Sequence, residues 1–469
     1  MESNGIVLPK EYENIMQKQL GERYKIYKKS LEEPAVRGLR INTNRISGDE
    51  FLKLTGYSLE KLPFSKDGYI FNSSEKIGNT PVHLSGLCYL QEPSSMISVC
   101  ASNIDKEYDK ALKVLDLCAS PGGKTSQIAS RLGENSVVYS NEVVGSRVNA
   151  LYSNIERQGF ENVIVLNEKP ENLKCFENYF DYVFVDAPCS GEGMFRKNPE
   201  TVKEWSMSNV ILCAKRQRQI LEDTIGLIKN GGKLIYSTCT FSSEEDEDIV
   251  SWLLSKNCFE LVDVSDEIKS QTLASTLNSP DREFVRKFYP FSGKGEGQFV
   301  AVLKKIKEDT GAIHPKKYTK SISKLGRTEK KVLDDWFAQN FKPEFARKIS
   351  NSNLILVGEN VYNPPLGLSS EELSLLDDLK FESIGVKLGS LQKGRFEPNH
   401  AIFMAYDKYF NHKVEISEKD VVKYLHGEQL ESVIYVKAYA VVTFNKFPLG
   451  GAKLAGGKLK NLLPKGLRI

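Results

Sequence analysis

Short runs of Val, Ile, Leu and Tyr recur between about residues 85 and 305, at Val114–Cys118, Ser136–Ser140, Val163–Leu166, Tyr182–Asp186 and Lys233–Ser237. Each has the length of a strand, and the stretches between them can hold crossover helices. The pattern predicts an α/β domain with a doubly wound sheet, closed by a last strand near Phe299–Leu303. Ahead of it, Tyr12, Ile15, Met16 and Leu20 fall at helical spacing, and Gly38–Asn44 reads as a short strand bearing Arg40 and Asn42. Behind it, the lysine-rich stretch Lys304–Lys320, with Gly311 and Pro315, reads as a linker. The predicted organisation is a small α/β region over 1–84, the sheet domain over 85–306, a linker and intermediate domain over 307–415, and a last region over 416–469.

Composition narrows the possibilities. The chain has 469 residues, 27% of them charged, yet its formal net charge is only +3, so it is no polycation and any nucleic acid must be held by local patches. The strongest patch is terminal. No acidic residue follows Glu431, while Lys437, Lys446, Lys453, Lys458, Lys460, Lys465 and Arg468 are spaced among Phe444, Phe447 and glycine pairs. Such a segment is either a solvated face or a surface for a nucleic-acid backbone. No apolar run is long enough to cross a bilayer, and Met1–Gly5 leads into the charged Lys10–Glu13 without a signal-peptide core, so a cytoplasmic protein without membrane contact is expected. Eight cysteines without a CxxC pair argue against structural zinc and disulfides, and no metal is expected.

The first strand opens onto Cys118-Ala119-Ser120-Pro121-Gly122-Gly123-Lys124. A Walker A loop would need glycine where Cys118 stands, and a dinucleotide fingerprint would not place its glycines side by side. What remains is a strand, a tight turn and a helix start at which backbone approaches a ligand, a description that an S-adenosylmethionine pocket meets. Glu142 ends the second strand about 20 residues beyond the glycines, the separation expected of a carboxylate that accepts both ribose hydroxyls.

Two further strand ends carry thiols: Asp186-Ala187-Pro188-Cys189 and Ser237-Thr238-Cys239-Thr240. Carbon 5 of a pyrimidine is too poor a nucleophile to take a sulfonium methyl until a thiolate has added to carbon 6, and cysteine suits that addition. Asp186 can hold the cytosine edge. The residues by themselves do not say which of the two thiols is the nucleophile.

Leu117–Thr125, Asp186–Gly193 and Ser237–Phe241 resemble the three signature motifs of the NOL/NOP/Sun family of RNA cytosine-5 methyltransferases. Tyr89–Met96, Gly295–Phe299 and the tail Leu454–Asn461 resemble its bacterial small-subunit ribosomal RNA methyltransferase F branch. The resemblance implies a Rossmann-like class I methyltransferase domain and a C-terminal β-rich, PUA-like RNA-binding region. It implies Cys239 as nucleophile, Cys189 as the thiol that assists release, and Asp186 and Lys124 beside the base. For the cofactor, S-adenosylmethionine, it implies Cys118, Ala119, Ser120, Pro121, Gly122, Gly123, Lys124, Glu142 and Asp186, with Arg147 as a further pocket residue. The family commonly places aspartate after the third strand for the adenine amine, and Glu168 stands at that position here.

Ser242 and Glu245 have capping-box spacing, so the acidic run Glu244–Asp248 is expected to open a helix and point away from the substrate groove. Together these features predict an S-adenosylmethionine-dependent RNA cytosine-5 methyltransferase, monomeric, with small-subunit ribosomal RNA or the small subunit itself as partner. The amino-terminal region, through Arg40 and Asn42, and the acid-free tail are the expected RNA-docking parts. A tRNA-directed relative and a non-catalytic assembly factor are the alternatives, and intact Asp186, Cys189 and Cys239 count against the second.

Overall fold

The computed structural model describes residues 6–72, 75–307 and 322–469. At the amino end, α1 (Lys10–Leu20) buries Tyr12 and Met16 and sets Tyr12 edge-on to Phe195 and Trp205 of the sheet domain. A four-stranded sheet follows, in which β1 (Arg37–Ile41) lies between Gly68–Phe71 and Cys88–Leu90. Arg40 on β1 is fully buried, with Nη2 donating to Ser126 Oγ at 2.6 Å and Nη1 3.6 Å from Asp67. Asn42 is equally buried and donates to the carbonyls of Gly86 and Gln158. Neither faces RNA. The polar side chains expected to dock RNA instead tie this region to the sheet domain, because a buried guanidinium must find partners.

The central sheet is built on β2 (Lys113–Asp116), β3 (Val137–Asn141), β4 (Val163–Leu166), β5 (Phe180–Asp186), β6 (Ile228–Thr238) and β7 (Gln298–Lys305). Its order is β7-β6-β5-β2-β3-β4, parallel except for β7 against β6. The order reverses between β2 and β5, which opens a crevice at their carboxyl ends. The central residues of these strands are apolar and buried, as in a parallel sheet covered on both faces. Of the predicted linker, Lys304 and Lys305 belong to β7, and most of the remainder lies outside the described residues.

Four of the ten described strands of this sheet were not announced by sequence pattern: Phe259–Leu261, Leu273–Ala274 and Arg286–Phe288 on the side of β7, and one on the opposite edge. β8 (Phe381–Ile384), far along the chain, adds antiparallel to the free edge of β4, with Phe381 opposite Leu166. Phe381 and Ile384 join the core of the central sheet. The chain then leaves through Gly385, at φ +67°, where a Cβ would stand 2.3 Å from the Asn363 carbonyl, and enters a five-stranded sheet of its own. A last five-stranded sheet holds β9 (Ala438–Phe444), β10 (Phe447–Ala455) and β11 (Lys458–Asn461), so the carboxyl end is β-rich as expected.

The acidic run departs from expectation. The helix α3 begins only at Glu247 and runs to Ser255, without a side-chain cap. Glu245 and Asp246 are fully buried and Glu247 nearly so, and they turn inward. Lys287 is the reason: its buried ammonium lies 3.1 Å from Asp246 and 2.9 Å from Glu247, while Thr238 Oγ1 donates to Asp246 at 2.6 Å. Those carboxylates hold the turn after β6 in place, a task that solvent-facing acids could not perform.

Candidate functional site

The crevice has two halves. In the first, β2 ends at Asp116 and the chain turns through Cys118–Gly123 into the helix α2 (Gly123–Ala129). Gly122 sits at φ +105°, a conformation open to glycine, and its N–H donates to the Ala119 carbonyl at 2.7 Å. Side chains beneath hold the turn: Arg147 Nη2 donates to the Ser120 carbonyl, Ser120 Oγ to the Arg147 carbonyl, and Asn154 to the Pro121 carbonyl. Ala119 N–H donates to the carbonyl of Asn141, the last residue of β3, which brings the turn beside Glu142.

Glu142 is buried; Oε1 accepts from Val144 N–H at 2.8 Å and Oε2 lies 3.6 Å from the half-exposed Arg147. Glu168, at the end of β4, is also buried, and its backbone exchanges two hydrogen bonds of 2.9 Å with the Asn141 side chain. Asp116 accepts from Thr125 at Oδ2. Its Oδ1 is buried with no partner, and burial lifts the carboxyl to about 6. This half therefore offers a tight glycine turn, an orphaned carboxylate oxygen and a second buried carboxylate, a set of groups suited to an amino-acid-bearing nucleoside such as S-adenosylmethionine. Burial pushes the Cys118 thiol up, as do Asp116, Asp186 and Glu142 nearby, so it stays neutral in the turn.

In the second half, Lys124 and Asp186 meet at 2.7 Å. Burial opposes the ammonium, but Asp186 outweighs it and leaves Lys124 above the ordinary lysine range, with Asp116 and Cys239 adding to the effect. Ser237 Oγ and Gln298 Nε2 donate to the other oxygen of Asp186, at 2.8 and 3.2 Å. Beyond it, the sulfurs of Cys189 and Cys239 are 3.3 Å apart, each half-buried. That hydrogen bond, burial, and the charges at Glu245 and Asp186 push the Cys189 thiol well up.

Both cysteine loops are fixed from behind. Gln217 Nε2 donates to the Pro188 carbonyl and to Glu245, and Glu245 accepts from Ser190 N–H at 3.0 Å, so the peptide groups flanking Cys189 are clamped. Burial raises Glu245 to about 7. Gly193 N–H donates to the Cys239 carbonyl at 2.8 Å, and a Cβ on Gly193 would stand 2.9 Å from Gly297. Gly295–Phe299 thus lies against the Cys239 loop.

The structure brings together Lys124, Asp186, Cys189 and Cys239 in one half and Cys118–Gly123, Glu142, Arg147 and Glu168 in the other. Sequence reasoning missed Gln217, Glu245 and Gln298. One signal for Gln217 existed: on its helix it shares the buried stripe of Val210, Cys213, Ala214 and Leu221, where an amide must have a buried partner. Among the described residues no group of His, Cys, Asp or Glu could hold a metal ion, and no helix is long and apolar enough to cross a membrane.

Comparison with known proteins agrees along the chain. Residues 105–304 match the family described as 16S rRNA methyltransferase RsmB/F. Residues 8–93 match the N-terminal domain of 16S rRNA methyltransferase RsmF, 336–406 the RsmF first C-terminal domain, and 411–469 the methyltransferase RsmF PUA domain. Ribosomal RNA small subunit methyltransferase F of Citrobacter koseri is 32% identical over 456 residues, covering 93% of this chain and 91% of its own. The protein of that name from Shewanella sediminis is 31% identical, covering 92% and 90%. A solved methyltransferase homologue from Pyrococcus horikoshii is 28% identical with a TM-score of 0.56, covering 64% of this chain and 96% of its own. NSun6 from the same organism, solved with SFG, shares the fold at 20% identity and a TM-score of 0.55, over 64% of this chain and 99% of its own. With a class I methyltransferase sheet, a PUA domain and relatives matched over nine-tenths of its length, this chain belongs to the ribosomal RNA small subunit methyltransferase F family.

Proposed function

We propose that this protein methylates carbon 5 of cytosine in small-subunit ribosomal RNA through a covalent adduct at Cys239. The observation that carries the reading is the 3.3 Å approach of Cys189 and Cys239 beside the Lys124–Asp186 pair, two thiols and a base-reading carboxylate in one crevice. S-adenosylmethionine, when bound against Cys118–Gly123, Glu142 and Asp116, supplies an electrophilic methyl group. Asp186 holds the base edge, kept in orientation by Lys124, Ser237 and Gln298. The Cys239 thiol gives its proton to solvent, its sulfur forms a bond to carbon 6, and the electron pair of the 5,6 double bond makes carbon 5 nucleophilic. After carbon 5 is methylated, its proton leaves to solvent, the double bond re-forms and the carbon–sulfur bond breaks. Cys189, its sulfur 3.3 Å from that of Cys239, can give the departing sulfur a proton and regain one from solvent. The order of the two roles, Cys239 as nucleophile and Cys189 in release, follows the sequence resemblance.

The C-terminal sheet supports RNA as the substrate. Lys453 on β10 and Lys460 on β11 stand directly opposite each other. Like charges in that register destabilise a sheet, and a phosphate backbone laid across them removes the repulsion.

Incubating the protein with small-subunit RNA, transfer RNA and a labelled methyl donor, then analysing nucleosides, tests the proposal. Label in 5-methylcytidine from the small-subunit RNA is expected. Label only in transfer RNA, or in another nucleoside, overturns it.

A further inference from the structure

The cofactor half of the crevice is finished by a part of the chain more than 200 residues away, and Glu168 is the joint. Its Oε1 accepts from the backbone N–H of Lys380 at 2.7 Å, and its Oε2 from Asn172 Nδ2 at 2.6 Å. Lys380 immediately precedes β8, and its carbonyl accepts from Asn167 N–H at 2.9 Å. Two neighbouring residues at the end of β4 are therefore gripped by one residue of the C-terminal unit.

Both gripped residues in turn hold the strand end that carries Glu142. Asn167 Nδ2 donates to the Glu142 carbonyl, and the Glu168 backbone is bonded twice to the Asn141 side chain. Asn141 Nδ2 also donates to the Leu117 carbonyl, and its own carbonyl accepts from Ala119 N–H in the glycine turn. A continuous path of hydrogen bonds thus runs from Lys380 through Asn167 and Glu168 to Glu142 and the turn. The unit is also anchored elsewhere: Lys113, at the start of β2, pairs with Glu372 at 2.7 Å and donates to the Gly367 carbonyl.

We infer that the C-terminal unit completes the cofactor pocket, with Glu168, Asn167 and Lys380 as positioning residues that set the place of Glu142 through Asn141. This rests on the cofactor reading given above. It assigns the Glu168 carboxylate to the junction with β8, and the methylene by which glutamate exceeds aspartate gives it reach toward Lys380. Because coupling between sites is reciprocal, cofactor binding and docking of β8 strengthen one another. A unit that also carries the PUA domain then connects RNA capture to cofactor retention.

The test uses the full-length chain and S-adenosylmethionine itself. Glu168→Ala removes the acceptor, and Lys380→Pro removes the donor N–H while leaving Glu168 untouched. Each is expected to weaken cofactor affinity about tenfold, equivalent to about 1.4 kcal/mol, and to raise KM for the cofactor while kcat changes little. The double variant should lose no more than either single one, since both break one interaction. Hydrogen exchange gives a readout that needs no variant: saturating cofactor should slow exchange of the amides at 380–384 in the wild-type protein. Circular dichroism identifies a variant that has failed to fold, and the exchange measurement then decides alone. Cofactor binding that leaves those amides unmoved, or unchanged affinity in both folded variants, overturns this inference and leaves the functional reading standing. A wild-type protein that does not bind the cofactor overturns both.

Discussion

At the ends of β5 and β6, the cysteine half of the crevice is braced by the amino-terminal region. Gln19 donates to the Phe241 carbonyl, two residues past Cys239, at 3.1 Å. Arg196 is fully engaged by both oxygens of Glu296 and by the carbonyls of Gly295 and Ser30, and Glu296 accepts from Val36 N–H. At the ends of β3 and β4, the cofactor half is braced by the C-terminal unit through Lys380. The cysteine brace is a buried ion pair; the cofactor brace at Lys380 is two backbone-amide hydrogen bonds, one to a carboxylate and one to a carbonyl. The cysteine loops thus answer to the amino-terminal region and the ends of β3 and β4 to the C-terminal unit, while Arg40 also ties the amino-terminal region to Ser126 on α2; damage to either brace should be felt first at the strand ends it holds.

Breaking the cysteine brace has the largest expected effect. Arg196→Met leaves Glu296 buried without its partner, which costs about 3–5 kcal/mol. Urea unfolding should show that loss. Calorimetry under conditions where the variant is still folded should show near-normal S-adenosylmethionine binding, and a parallel loss of cofactor affinity would break the comparison.

On the other side, Glu142→Ala should weaken cofactor affinity by about 1.5–3 kcal/mol, the range for a hydrogen bond to a charged group. Its folding stability and RNA affinity should be close to wild type. Calorimetry that finds unchanged affinity in the folded variant would reject the ribose-binding role.

A comparable effect appears in the pH dependence of stability. Burial lifts Glu245 behind Cys189 from 4.5 to about 7, so the folded protein keeps a proton there that the unfolded chain has released. Stability from this group is present at low pH and is lost as pH rises from about 4.5 toward 7. Glu245→Gln should flatten that fall by up to about 1.4 kcal/mol per pH unit. Urea midpoints at about pH 5 and about pH 8 measure it, and an unchanged slope would place the proton elsewhere.

The smallest stability effect has the opposite sign. Lys460→Glu turns the cross-strand repulsion with Lys453 into attraction and should stabilise the C-terminal sheet by roughly 0.2–1 kcal/mol. RNA binding should weaken and lose about 0.7–0.9 of salt slope for each phosphate contact removed. Unchanged RNA affinity would make these lysines a solvated face.

Much of this was legible in the sequence, and the reasons are local. β2 to β6 each contain a short apolar run and are separated by crossover lengths, and the turn at Gly122 and the thiols at strand ends carry their chemistry in neighbouring residues. What escaped depends on distant partners. Phe381–Ile384, Phe-Glu-Ser-Ile, has no period-2 alternation to mark it as a strand, and nothing local says that it pairs with β4. Glu245 and Asp246 read as a solvated helix start until Lys287, Gln217 and Thr238 are seen around them. Arg40 and Asn42 read as RNA-facing because their buried partners lie as much as 116 residues away. Polar and charged side chains were misplaced where partners from elsewhere in the chain satisfied them on burial.

The central claim is that Cys239 bonds to the base and Cys189 is needed to let it go. Cys189→Ala and Cys239→Ala proteins, each incubated with small-subunit RNA and S-adenosylmethionine, can be run on a denaturing gel beside the wild type. The account predicts a denaturation-resistant protein–RNA species with Cys189→Ala, and neither that species nor methylation with Cys239→Ala. A trapped species with Cys239→Ala but not with Cys189→Ala would contradict it.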